Sequence, residues 1–182
     1  MDPSITKKTT SLDYAILGLI HQEPQSGYGI RKAFETTALG NFSSSPGAIY
    51  PALKRLQKLG LVNKSTFGKE DKRKFGPTEI GINALREWLL KPLELKDVAK
   101  NLDELLLRFA FMDNLLEKEE KLSFLLSLQE LLKAYITELK AYHKNTAAHL
   151  PVNGRLAFEH GIASCQTTLR WSKKALHTIK KS

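Results

Sequence analysis

The chain has 182 residues, of which 42% are hydrophobic, and this composition excludes a wholly disordered protein. Its 28 Lys and Arg against 19 Asp and Glu give a formal net charge of +9 at pH 7, which favours a polyanionic partner. Cys165 is the only cysteine, so an intrachain disulfide is excluded, and no apolar run reaches the roughly 18 residues of a membrane span. These features predict a cytoplasmic protein.

The positive charge is concentrated in one stretch. Residues 1–92 carry 14 basic against 8 acidic side chains, whereas residues 93–182 carry 14 against 11. Residues 43–78 alone hold 8 basic side chains against 2 acidic ones, a net of +6 that equals the excess of the whole first half. Such clustering indicates a binding surface more strongly than an even distribution of charge would.

The first half of the chain predicts a short arm and two helices. Residues 1–10 are polar, without the apolar run of a signal peptide, and we expect a flexible arm there. Ser11 is a suitable N-cap for a helix over residues 12–21, which Pro24 follows. A second helix is expected over residues 28–39, because Gly40 and Asn41 would end it.

A third helix is expected over residues 46–59, with Ser45 as its cap and Pro46 at its first position. Apolar side chains form an inner stripe at helical spacing: Ile49, Ala52, Leu53, Leu56 and Leu59. A second stripe on the other side is small, aromatic and basic: Gly47, Tyr50, Lys54 and Lys58. Gly60 then suits a left-handed C-terminal stop.

A β-hairpin is expected next, with strands over residues 61–67 and 72–75 around a basic turn. The second strand should end early, since Gly76 and Pro77 follow it and proline cannot donate to a ladder. Thr78 predicts the cap of a fourth helix, which continues to about Lys91 before Pro92.

The remainder predicts an all-helical region, with helices over residues 102–112 and 117–149 and a last one to about residue 180. In the last helix, gaps of four and three alternate between the members of a coiled-coil seam: Phe158, Ile162, Cys165, Leu169, Ser172, Leu176 and Ile179. This seam requires a partner, either a second copy of the chain or the chain's own 117–149 helix.

Residues 11–91 contain three characteristic motifs: Ile16-Leu17-Gly18-Leu19, Gly27-Tyr28-Gly29-Ile30 and, the most specific, Ile49-Tyr50-Pro51-Ala52-Leu53-Lys54-Arg55-Leu56. These motifs carry a resemblance to the PadR-like family of transcriptional regulators. It continues through Lys58-Leu59-Gly60-Leu61-Val62 and Lys72-Arg73-Lys74-Phe75, although Phe75 stands where the family usually has tyrosine. Pro51 lies inside the expected third helix, and the resemblance implies that this helix continues through it.

The resemblance implies a mainly α fold in three parts: the arm at 1–10, a winged helix-turn-helix domain with a two-stranded β wing at 11–92, and an all-α dimerisation domain at 93–182. It implies a homodimeric regulator, more often a repressor than an activator, on a roughly palindromic operator in double-stranded DNA. The expected dimer contacts are Phe158, Ile162, Cys165, Leu169, Leu176 and Ile179. The expected DNA contacts are Tyr28, Lys32, Ser43, Ser44, Ser45, Gly47, Tyr50, Lys54, Lys58, Lys69, Lys72, Arg73 and Lys74.

Several alternatives stay open at this point. Tyr50 is alternatively a half-buried core aromatic, Arg55 an internal salt-bridge partner, and Lys64 a neighbour of the wing that does not touch DNA. Five aromatic or histidine side chains are either plain core or the lining of an effector pocket: Phe109, Phe111, Tyr135, His160 and Trp171. No effector is identified from them.

The runner-up function is a winged-helix protein–protein adaptor that does not bind DNA. Five basic residues between Lys64 and Lys74 argue against this adaptor. The sequence shows no nucleophile elbow, phosphate loop or zinc spacing, so we expect neither an enzyme nor a cofactor.

Overall fold

Helices dominate the chain. The computed structural model describes residues 9–37, 46–66 and 73–181. Within these ranges the chain forms eight α-helices, one 3-10 helix and one two-stranded antiparallel sheet. The predicted mainly α fold with a two-stranded wing is confirmed. None of the described helices has the length and apolarity needed to cross a membrane.

The first helix, α1 (Ser11–Gln22), is the centre of the N-terminal core. Every residue from Asp13 to Ile20 is buried. The predicted cap at Ser11 is wrong by one residue, because Thr10 is the N-cap and forms a capping box with Asp13. The Tyr14 ring, 5% exposed, stacks on Trp88 with the ring centroids 4.8 Å apart. Burial raises the pKa of the Tyr14 hydroxyl.

The next two helices pack against α1. Helix α2 (Gly27–Thr36) is capped by the Ser26 hydroxyl, which accepts a hydrogen bond from the Gly29 backbone N–H. It ends before the predicted limit at residue 39, and residues 38–45, which include the expected cap at Ser45, lie outside the described ranges. Helix α3 (Pro46–Lys58) continues through Pro51, as the resemblance implies. Gly60 follows with φ +69°, which confirms its predicted left-handed stop.

The wing consists of β1 (Val62–Thr66) and β2 (Arg73–Pro77) in antiparallel register, with Lys64 opposite Phe75 and Val62 opposite Pro77. The prediction that the second strand ends early is therefore wrong. The Thr78 N–H donates to the Leu61 carbonyl oxygen. In an antiparallel ladder, pairs that exchange hydrogen bonds alternate with pairs that do not, so the next pair, Val62 and Pro77, exchanges none. Because Pro77 lies in that pair, its missing N–H costs the ladder nothing.

Thr78 links the end of the wing to the turn that follows α3 and to the next helix. Its hydroxyl donates to the Gly60 oxygen at 2.6 Å and accepts from the Gly81 N–H at 3.1 Å. The second bond caps α4 (Glu79–Leu90), as predicted. Gly81 is needed here, because an added Cβ would lie 2.0 Å from the Leu61 carbonyl oxygen.

The C-terminal part is helical, as predicted, with different bounds. It contains α5 (Leu95–Lys100), α6 (Leu102–Ala110), α7 (Lys118–Thr146), a 3-10 helix (Ala147–His149) and α8 (Val152–Lys181). The sequence analysis missed α5, whose six residues are too few for periodicity to reveal. The predicted helix over residues 117–149 ends as an α-helix at Thr146.

The described residues fall into two compact units. The first takes the described part of Met1–Lys91 together with Leu107–Leu115, and the second takes Pro92–Leu106 with Leu116 onward. Two contacts attach segment 107–115 to the first unit. Arg108, 3% exposed, donates to the carbonyl oxygens of Leu89 and Lys91, where α4 ends. The Phe111 ring lies so close to Gly18 that an added Cβ there would come within 2.5 Å of it.

Helices α7 and α8 form an antiparallel pair in the second unit. The Lys118 ammonium donates to the Lys180 carbonyl oxygen at one end, and Tyr142 stacks on Phe158 at the other. The seam predicted on α8 contributes buried residues to this unit: Ile162, Cys165 and Ser172. Burial raises the pKa of the Cys165 thiol.

Candidate nucleic-acid interface

The two faces of α3 have opposite character. Four of the five residues of its predicted inner stripe are buried, with Ile49, Ala52, Leu53 and Leu56 at 0–2% exposure. The fifth, Leu59, follows the last residue of the helix and is half-buried. Its outer stripe is exposed at Gly47, Tyr50, Lys54 and Lys58. The helix therefore presents a small, aromatic and basic surface, and ammonium and hydroxyl groups of this kind donate hydrogen bonds to phosphate oxygens.

Tyr50 is 51% exposed and lies against the start of α2. A Cβ added to Gly27 would come within 2.9 Å of Tyr50 Cε1, so the ring packs directly on the Gly27 backbone. The absence of a side chain at Gly27 thus creates the position that the tyrosine ring occupies. One side of the ring is supported by α2, and its solvent-exposed part remains available to a partner.

Arg55, next to this stripe, is an internal salt-bridge partner. Its Nε and Nη2 atoms donate to the two carboxylate oxygens of Asp13 at 2.9 and 2.7 Å. These hydrogen bonds raise the pKa of the Arg55 guanidinium. The open alternative of an internal ion pair is thereby confirmed for Arg55, and α3 is joined to α1.

The predicted contacts on α2 are exposed on the same unit. Tyr28 is 61% exposed, and Lys32 is also exposed. Arg31 is held by its own helix, because its guanidinium lies 5.4 Å from the Tyr28 ring centroid and its Nε is 3.2 Å from Glu35. The cation thus stabilises Tyr28 from one side.

The wing is attached to the helix-turn-helix by a backbone bridge. Gln25, between α1 and α2, exchanges two hydrogen bonds with Phe75 of β2, at 2.7 and 3.1 Å. Lys64 is exposed, and its ammonium lies 5.3 Å from the Phe75 ring centroid. Lys74 is partly exposed. The strands therefore have a fixed attachment to the first unit at Phe75.

Several predicted contacts lie outside the described residues: Ser43, Ser44, Ser45, Lys69 and Lys72. Arg73 is described in its backbone only, as the first residue of β2. Sequence analysis missed the supporting roles of Asp13, Gln25 and Gly27. The signal for Asp13 was a lone carboxylate in an apolar helix, and the signal for Gly27 was its place in the family motif Gly27-Tyr28-Gly29-Ile30.

The predicted dimer residues on α8 have contacts in their own chain. Ile162 and Cys165 are 9% exposed, and Phe158 stacks on Tyr142 and His143 of α7. Three further members of the seam are partly exposed: Leu169, Leu176 and Ile179. Pairing of this seam with a second copy stays a prediction, because the chain's own α7 already covers part of it.

A cavity of about 470 Å³ lies in the second unit. Tyr135 and Leu139 of α7, Phe158 and Cys165 of α8, and Lys100 and Asn101 contribute to its lining. Of the five side chains considered for an effector pocket, Tyr135 is in this lining, whereas Phe111 is 6% exposed in the first unit. Among the described residues, no group of three His, Cys, Asp or Glu side chains could hold a metal ion.

The family model and two curated relatives that match this chain are described as transcriptional regulators. The model of the transcriptional regulator PadR-like family matches residues 16–87. The negative transcriptional regulator PadR of Bacillus subtilis (strain 168) is 32% identical over 147 residues, which cover 78% of this chain and 79% of that protein. The transcriptional regulator YqjI of Escherichia coli (strain K12) is 36% identical over 78 residues, which cover 42% of this chain and 36% of that protein. Among solved structures, the PadR-like transcriptional regulator BC1756 from Bacillus cereus is 26% identical, with a TM-score of 0.41 and coverage of 94% of this chain and 99% of that one.

Proposed function

Because the chain belongs to the PadR-like family of transcriptional regulators, we propose that it is a cytoplasmic repressor that binds a roughly palindromic operator as a homodimer. The observation that carries this proposal is the outer face of α3, where Tyr50, Lys54 and Lys58 are exposed on a helix whose inner face is buried. The family is one of regulators and not a class of enzymes.

The α3 helix is the element that enters the major groove, which is about 12 Å wide and admits one α-helix. Gly47 lets the start of α3 approach the DNA backbone closely, and Tyr50 packs against a sugar or a thymine methyl group. Lys54 and Lys58 bind the flanking phosphates. On α2, Tyr28 and Lys32 contact the backbone of the duplex.

The wing contacts the DNA beside the groove that α3 enters. Arg73 is the side chain we assign to the minor groove, because narrow minor grooves attract arginine. Lys69, Lys72 and Lys74 contact phosphates, and Ser43, Ser44 and Ser45 supply hydroxyls before α3. The adaptor alternative gives no reason for this concentration of positive charge on the wing.

The homodimer is the part of the proposal that depends on the second unit. Leu169 and Leu176 are partly exposed on the seam of α8, while Val152 and Leu156 are 61% and 53% exposed near its start. A twofold pair would cover apolar surface of this kind and place two α3 helices about one helical turn of DNA apart, roughly 34–36 Å.

The proposed sign of regulation follows PadR of Bacillus subtilis, whose match covers 78% of this chain and which is named a negative regulator. The cavity beside Tyr135 is the candidate effector site, because its 470 Å³ is in the range of small-molecule pockets, roughly 300–1,000 Å³. No chemical class of effector is assigned.

The test is binding of the purified chain to genomic fragments, followed by titration of the enriched fragment against a scrambled duplex at several salt concentrations. The logarithm of the affinity should fall linearly with that of the salt concentration. Lys54→Ala should reduce the magnitude of this slope, the change in log affinity per unit of log salt concentration, by about 0.9 for each phosphate that the variant no longer neutralises. Lys140→Ala, which removes an exposed lysine of α7, is the matched control and should bind as wild type does.

Light scattering tests the assembly independently of DNA. The expected mass is twice the 20.5 kDa of one chain. A monomer at micromolar concentration would exclude the homodimer, and equal affinity for every duplex would exclude operator recognition.

A further inference from the structure

Asp13 is a buried charge in the first turn of the apolar helix α1. Its residue exposure is 0%, and its two carboxylate oxygens accept four hydrogen bonds. Two come from the backbone N–H and hydroxyl of Thr10, at 2.8 and 3.0 Å, and two from Arg55. A carboxylate removed from water needs such compensation, so the position of Arg55 is strongly fixed.

The Arg55 contact lies on one side of the outer stripe of α3. At 100° per residue, Arg55 is about 140° around the helix from Tyr50, and Lys54 and Lys58 lie between them. Tyr50 rests on Gly27 of α2, and Arg55 is bonded to Asp13 of α1. The exposed basic stripe is thus flanked by one fixed contact on each side.

We propose that Arg55 is a positioning residue, which sets the rotation of α3 about its own axis through its two hydrogen bonds to Asp13. This inference rests on the proposed DNA-binding function. Asp13 engages the Nε and one Nη2 donor of Arg55, whose side chain is 37% exposed, and we assign the Arg55 charge to this ion pair and not to a phosphate. Its replacement by lysine therefore displaces Tyr50, which we place against a sugar or a thymine methyl group, without removing a cation from the DNA surface.

The geometry of the pair explains why arginine is required. A guanidinium presents two parallel N–H groups to a carboxylate and so fixes both distance and orientation. Lysine would keep the charge but offer a single rotatable ammonium, which fixes distance alone. Arg55→Lys therefore separates orientation from charge.

The experiment compares wild type, Arg55→Lys, Asp13→Asn and their double variant, each titrated with the enriched genomic duplex and its scrambled version over a salt series. We expect the operator affinity of each single variant to fall about tenfold or more, the discrimination of roughly one base pair. Affinity for the scrambled duplex and the salt slope should stay at the wild-type values. The double variant should bind no more weakly than the worse single variant, because both changes break the same bonds.

Thermal unfolding of each variant is recorded first, and binding is measured well below its own midpoint. Arg170→Lys on α8, an exposed arginine outside the first unit, is the matched control and should match wild type. If Asp13→Asn raises or preserves operator affinity while Arg55→Lys reduces it, Arg55 acts on the DNA without Asp13 and the positioning role is wrong. If wild type binds no duplex at low salt, the proposed function itself fails. A wild type that discriminates its operator and an Arg55→Lys variant that does so equally well would overturn the positioning role alone.

Discussion

Gly27→Ala tests whether the position of Tyr50 depends on the missing side chain at Gly27. The new Cβ would lie 2.9 Å from Tyr50 Cε1 and 3.5 Å from the Tyr50 hydroxyl oxygen. Carbon atoms pack at about 3.5–4.0 Å, so the ring has to move by roughly 1 Å. Because the ring is 51% exposed, it can swing outward, while the α2 backbone stays in place.

The cost to folding should be small. Alanine is favoured over glycine by up to about 1 kcal/mol in a helix interior and by less at Gly27, which is the first residue of α2. A side chain pushed some 30° off its rotamer is destabilised by about 0.5–1.5 kcal/mol. We therefore expect the free energy of unfolding in urea to change by less than about 1 kcal/mol. Operator affinity should nevertheless fall about five- to tenfold, since one hydrogen bond or packing contact contributes roughly 1 kcal/mol.

A double-mutant cycle with Tyr50→Ala separates this mechanism from a general disturbance of α2. Binding is measured by fluorescence anisotropy for both single variants and for the double variant. In the Tyr50→Ala background, Gly27→Ala should have no further effect, because the ring it displaces is gone. Strictly additive reductions in affinity, or a destabilisation above about 2 kcal/mol, would refute the proposed contact between Gly27 and Tyr50 as the cause.

Three further changes probe the two units separately. Gly81→Ala should lower the free energy of unfolding of the first unit in urea by about 3 kcal/mol or more, since its Cβ would lie 2.0 Å from the Leu61 carbonyl oxygen and neither backbone can yield. The control is Gly154→Ala at an exposed position, which should be neutral or stabilising. Gln129→Met should stabilise the chain by about 1 kcal/mol in the same assay, because the Gln129 side-chain nitrogen is buried without a hydrogen-bond partner among the described residues. A decrease in stability would contradict the absence of such a partner. Cys165 should react with iodoacetamide at pH 8 more slowly than free cysteine, because burial raises the pKa of its thiol and less thiolate is present. Unfolding in urea should remove the difference, and equal rates before and after unfolding would contradict this burial.

Signals that act over a few residues were readable from the sequence. The cap at Thr78, the left-handed Gly60 and the opposed stripes of α3 each depend on residues within one or two helical turns. The outer stripe was identifiable for the same reason, because helical spacing decides which side chains lie opposite the apolar ones.

Features that depend on distant partners were not readable. Asp13 and Arg55 are 42 positions apart, and only the packing of α1 against α3 brings them together. The early end predicted for β2 failed for a similar reason. The effect of Pro77 depends on whether its pair in the ladder exchanges hydrogen bonds, and the register alone decides that.

The seam of α8 shows a limit of periodicity itself. Apolar residues at alternating spacings of four and three indicate that a helix has an apolar stripe. This pattern does not indicate whether the helix that covers the stripe belongs to the same chain or to a second copy. Ile162 and Cys165 are already covered within their own chain, whereas Val152 and Leu156 are not. At 100° per residue, Val152 and Leu156 lie on average about 130° around α8 from Ile162 and Cys165. A homodimer that keeps the α7–α8 pair intact therefore has two apolar surfaces of α8 available to it: the partly exposed Leu169, Leu176 and Ile179 of the seam, and the exposed Val152 and Leu156.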